Sequence, residues 1–215
     1  PAQAGRYNCD RWDGCAWFDT PEEPYGALQL AEQAAGAVNG GAAALAWWTF
    51  FSGYIPSGQQ QTSCNDWGAS RWNGTDSRTR MHYPAVGMIS QAFQGPGASV
   101  VSTSTHPSVR VAAMRKPTGA WSLLVINRLP ESMNISLSLP ADLVSRRVVR
   151  RYSYAAASAG ERSSPFGDLP GPERFLSDLS GGVLFDDISP SSVTVYTTDF
   201  EDSCPPAVQN VALAS

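Results

Sequence analysis

The chain has 215 residues, 42% of them hydrophobic, enough for one large packed unit or two small ones and too much for a disordered chain. Its 15 basic and 19 acidic residues give a net charge of −4 with no long run of either sign, so no nucleic acid partner is expected. The most apolar run, residues 41–51, is strand length and flanked by glycine, so no membrane span is expected.

Residues 1–24 have the composition of a loop, aromatic and acidic with prolines at 21 and 24. Their start lacks a basic head and apolar core, so if the protein is secreted its targeting segment is expected upstream of residue 1. On that reading the chain is a fragment, a processed subunit or the visible part of something longer. Residues 25–38 are rich in Ala, Leu, Gln and Glu, with Leu28, Ala31, Ala35 and Val38 on one face. They predict a helix stopped by Asn39-Gly40-Gly41. The run at 42–51 predicts a parallel strand buried on both faces, and a helix followed by such a strand is an α/β signature. Residues 52–78 read as a long functional loop carrying Trp67 and Trp72. Residues 81–93 predict a second helix, with Pro84 acceptable near its first turn.

From residue 98 the pattern changes to short strands between turn signals, at 99–105, 109–114, 121–127, 134–139, 147–154, 183–185 and 192–197. That predicts an antiparallel β-sandwich. Residues 160–172, rich in Gly, Ser and Pro, read as a surface loop. The fold class is therefore α/β plus all-β, with a boundary near Gly95-Pro96-Gly97. The expected organisation is an α/β segment over 1–97, a sandwich over 98–200 and a tail or linker over 201–215.

Four cysteines, at positions 9, 15, 64 and 204, lack CxxC spacing, and only His82 and His106 could assist them, so neither metal nor cofactor is expected. Cys9 with Cys15 is the favoured local disulfide, leaving Cys64 with Cys204; the other pairings stay open. Two sequons place glycan acceptors at Asn73 and Asn134 for a secreted chain. With the even cysteine count and the single Lys116 they favour an extracellular or cell-wall setting reached by secretion.

The succession helix, AAALAWWTFF, Trp-bearing loop, HYPAVGMISQAFQGPG helix and sandwich ending in SPSSVTVYTT resembles the C-terminal third of clan A retaining glycoside hydrolases. The resemblance is to their glucosylceramidase-like, xylosidase-like and glucuronidase-like members. Tyr83, Gly87, Ser90 and Phe93, then Pro96-Gly97, match the final helix of those enzymes. Pro190, Ser192, Val193, Thr194 and Val195 match their closing strand. The resemblance implies that residues 1–97 are the last strand and helices of a (β/α)8 barrel, followed by the sandwich. A whole barrel takes about 250 residues, so the rest would lie upstream or on a companion chain.

The resemblance also implies two glutamates, the first usually after an asparagine, and no Asn-Glu occurs here. Both catalytic glutamates would then be upstream, with no catalytic residue in this chain, acting on β-linked glycans by the retaining route. A rival reading is a non-catalytic structural or carbohydrate-binding glycoprotein that reuses the fold.

A carbohydrate partner would meet tryptophan faces, because the axial C–H face of a sugar is apolar and its edge polar. Trp47 and Trp48 point to opposite sides of a strand, so one could form the sugar platform while the bland alternative has both filling a core. Trp67 and Trp72 could line outer subsites or act as plugs. Glu22 and Glu23 read as solvated loop residues, whereas Asp10, Asp13 and Asp19 offer polar substrate contacts or none. His82 and His106 have no relay partner nearby, and neither Ser63 nor Ser90 sits in a nucleophile elbow. Arg146, Arg147, Arg150 and Arg151 alternate along a strand; they could recognise an acidic glycan, but a charged outer face is the favoured reading.

Overall fold

A computed structural model describes residues 26–46, 51–52, 70–72, 77–79, 83–144, 149–156, 174–176 and 182–199. The first element is helix α1 (Gly26–Asn39), whose Ala27, Leu28, Leu30, Ala31, Ala34 and Ala35 are buried. That arc is wider than the single face predicted, and Val38 is only partly buried. The helix ends in a Schellman motif: the Ala42 N–H donates to the Ala37 carbonyl and the Gly41 N–H to that of Val38. Gly41 takes the left-handed φ of 68° that this motif requires.

The strand expected over 42–51 is not formed over 42–46, and 47–50 lie outside the described residues. Residues 42–46 are exposed and outside any strand, and the strand β1 comprises Phe51–Ser52. Backbone amide capacity explains part of the difference, since Ala42 spends its N–H on the helix cap rather than on a ladder. The long loop expected over 52–78 is interrupted by β2 (Ser70–Trp72), while β3 (Ser77–Thr79) follows it. β2 pairs parallel with β1 and antiparallel with β3. Helix α2 (Tyr83–Phe93) follows, with Pro84 in its first turn. Among the described residues nothing closes a barrel.

The remaining strands are β4 (Ala98–Val100), β5 (Val109–Arg115), β6 (Trp121–Asn127) and β7 (Met133–Ser138). After the single turn α3 (Ala141–Val144) come β8 (Val149–Ala155), β9 (Arg174–Leu176), β10 (Val183–Ile188) and β11 (Ser192–Thr197). An antiparallel six-stranded sheet has the order β4-β5-β6-β11-β8-β9, and β10 pairs with β7 in a separate two-stranded ribbon. Three layers result: helices, large sheet, ribbon.

Strand parity sorts the core. Ala112, Leu124, Ile126, Tyr154, Val193 and Val195 face the helices and join their alanines in one apolar cluster. Val109, Ala113, Trp121, Val125, Val149 and Tyr196 face the ribbon, where Leu184 and Ile188 meet them. The central strands β6 and β11 are thus covered on both sides, and all six residues of β11 are buried. Register agrees, with Val193 opposite both Ile126 and Tyr154. Polar ties fix the helices in place: Ser122 Oγ donates to the Ala92 carbonyl at 2.6 Å, and Asn39 Nδ2 to that of Val111 at 2.8 Å.

Candidate functional site

The chain turns from α2 into the sheet through Gly95, whose φ of 79° is left-handed, and this bend opens a cleft of about 370 Å³. Met88, Gln91 and Gln94 form its helix side. Lys116, Pro117 and Thr118 come from the β5–β6 turn, Arg150 and Tyr152 from β8, and Thr197 and Asp199 from the end of β11. Lys116 Nζ donates to Asp199 Oδ2 within this wall. Two cations therefore sit near the C-terminal end of α2, where the helix dipole is negative.

The cleft can hold a small polar molecule, and Asp199 is the only carboxylate among the described residues that line it. Retaining hydrolysis needs two carboxyl groups about 5 to 5.5 Å apart, and the described lining supplies one.

A second polar cluster lies between the sheet and the ribbon. Arg151 Nε meets Asp186 Oδ2 at 2.6 Å, the two side chains being 6% and 0% exposed. Tyr196 donates its hydroxyl to the same oxygen at 2.7 Å, and Arg151 Nη2 donates to the Asp187 carbonyl at 3.2 Å. Burial, then the hydrogen bond to Asp186 and its negative charge, push the Tyr196 hydroxyl well above its ordinary pKa of 10.0. A sealed, fully partnered cluster has no room for substrate, so it is a structural clamp. The expectation of a charged outer face is overturned for Arg151, which shares the inward parity of Val149 on β8. Arg150, of opposite parity, lines the cleft, and Arg146 and Arg147 lie outside the described residues.

Asn127 is the other buried polar anchor. Its Nδ2 donates to the carbonyls of Glu131 and Ser189, both at 2.8 Å, and its Oδ1 accepts from the Leu129 N–H. It holds two chain reversals at one end of the sandwich.

Of the residues singled out for sugar binding, Trp47, Trp48 and Trp67 lie outside the described residues. The backbone of Trp72 ends β2 opposite Ser77, and its side chain lies outside the description. Cys9, Cys15, Cys64, Cys204 and Asn73 are also outside it, as are Glu22, Glu23, Asp10, Asp13, Asp19, His82 and Ser63. Asn134 is exposed on β7. His106 serves a local turn, its Nδ1 accepting from the Ser108 N–H at 3.2 Å. Neither the clamp nor the Lys116–Asp199 pair was singled out from sequence. A signal for the clamp existed: Arg151 shares the parity of buried Val149 and Asp186 that of buried Leu184 and Ile188, where an isolated charge would be prohibitive.

No protein-family signature matches the sequence, and no curated protein matches it. Solved structures do. A family 30 subfamily 8 xylanase, Xyn30A from Clostridium acetobutylicum, is similar with a TM-score of 0.58 at 18% identity, over 82% of this chain and 39% of that one. A GH30 endoxylanase from Clostridium papyrosolvens gives 0.52 at 11% identity, over 84% of this chain and 39% of that one. An arabinose-bound α-L-arabinofuranosidase, MgGH51, gives 0.57 at 8% identity, over 82% and 27%. This chain spans well under half the length of each. Its arrangement of helices on antiparallel sheet is thus a fold also found within these solved structures.

Proposed function

We propose that the chain is the C-terminal portion of a secreted glycoside hydrolase acting on β-linked glycans by the retaining mechanism. The observation that carries this reading is the fold likeness to GH30 xylanases, in which the shared part accounts for 39% of the enzyme. The sequence pattern supports it too, from Tyr83 through Gly87, Ser90 and Phe93 to Pro96-Gly97. On this reading residues 1–97 complete a barrel whose earlier strands lie upstream or on a companion chain, and 98–200 form the sandwich behind it. Both catalytic glutamates belong to those earlier strands. Trp47 or Trp48 supplies an aromatic wall for the sugar, with Trp67 and Trp72 further out. Secretion places the molecule outside the cell or in its wall, where Cys9, Cys15, Cys64 and Cys204 are oxidised.

An activated 2-deoxy-2-fluoro β-glycoside traps a retaining nucleophile as a stable ester, because fluorine slows the second step. Treated with a panel of such reagents, the parent polypeptide should gain one glycosyl mass on a glutamate upstream of this segment. A parent lacking either glutamate leaves the non-catalytic binding or structural reading in its place.

A further inference from the structure

We propose that Asn134 carries an N-linked glycan whose first sugar packs on the ring of Phe185. The sequon Asn134-Ile135-Ser136 lies within β7, where alternation turns Ile135 towards the core and leaves Asn134 and Ser136 exposed. β10 runs beside it with Phe185 opposite Ser136 and Asp187 opposite Asn134. Phe185 is therefore the diagonal neighbour of Asn134 on the outward face, within about 7–8 Å and in reach of an aromatic side chain.

Phe185 is 73% exposed, and it is the one aromatic among the exposed large apolar side chains of the described residues. Leu184, Asp186 and Ile188 on the same strand are buried, so strand parity alone fixes the ring in the solvent. A two-stranded ribbon carrying a bare aromatic invites association with another chain. An N-acetylglucosamine on Asn134 lays its apolar C–H face over that ring and covers it, while its edge stays hydrated. In the transfer, Asn134 Nδ2 bonds to C1 of a sugar donated by a lipid diphosphate oligosaccharide. The C1–O bond to the diphosphate breaks and the amide gives up one proton.

The inference rests on passage through a secretory pathway, as proposed above, and not on catalysis. For its test, the full polypeptide with Asn73→Gln is placed behind a heterologous secretory leader, so that its natural address does not enter. Enzymatic glycan release in heavy-oxygen water should convert Asn134 to labelled aspartate. Removing the glycan should also lower Tm by about 2–4 °C, and Phe185→Ala should abolish most of that shift. An unmodified Asn134 overturns the inference, and so does an equal shift with and without Phe185. If Phe185→Ala does not fold, the acetyl methyl resonance of the wild-type glycan decides: an upfield ring-current shift supports the packing and its absence refutes it.

Discussion

Arg151, Asp186 and Tyr196 occupy positions where a β-sandwich ordinarily places aliphatic side chains, so each depends on the others for its hydrogen bonds. Removing one partner strands a buried charge. Arg151→Met is expected to cost about 3–5 kcal/mol, and replacing Arg151 and Asp186 together by apolar residues should cost less than Arg151→Met alone. Denaturant titration of the variants measures both. Tyr196 adds a pH dependence. Its folded pKa lies above the unfolded value of 10.0, so its contribution is complete below about pH 10 and is lost as the pH rises through the folded value. Tm should therefore fall on going from about pH 9 to 12, and fall less in Tyr196→Phe. A decline equal in both proteins would contradict the assignment. Parity along β8 and β10 made this cluster legible in principle. Basic residues clustered in sequence read naturally as a charged surface, however, because a sequence does not display which strand covers which.

At the level of elements, glycine has opposite effects at two positions. Gly95 ends α2 with a left-handed φ of 79°, so Gly95→Ala should destabilise by about 1–2 kcal/mol. Gly36 is exposed within α1, with nothing in the space a Cβ would take, and Gly36→Ala should stabilise by about 0.5–1 kcal/mol. Thermal melts of the two variants should move in opposite directions. The elements most legible in the sequence were β6 and β11, found over the residues predicted, because turn residues bound them on both sides. Short elements left no such mark: α3 has four residues and β9 three, too few for any periodicity to register. The apolar run at 42–51 misled for a different reason. Composition marks residues as apolar but does not say where a helix cap stops consuming backbone N–H groups. The site was less legible than the fold, since Lys116 and Asp199, which meet in the cleft, stand 83 residues apart in sequence.

Over the whole molecule, a single apolar cluster joins α1 and α2 to the inner face of the six-stranded sheet, across the boundary expected near residue 97. A polypeptide of residues 98–200 alone would expose Leu124, Ile126, Val193 and Val195 on that face. It should be recovered as an aggregate or a dye-binding, loosely packed species, and a sharp cooperative melt for it would show that the sandwich stands without the helices. The helices thus belong energetically to the sandwich and, on the proposed reading, topologically to the barrel. Proton NMR of the parent polypeptide's reaction with β-linked glycans tests the proposed retaining hydrolysis most directly. The β-anomer of the released sugar should appear first and then mutarotate; initial appearance of the α-anomer, or no hydrolysis of any β-linked glycan, would contradict it.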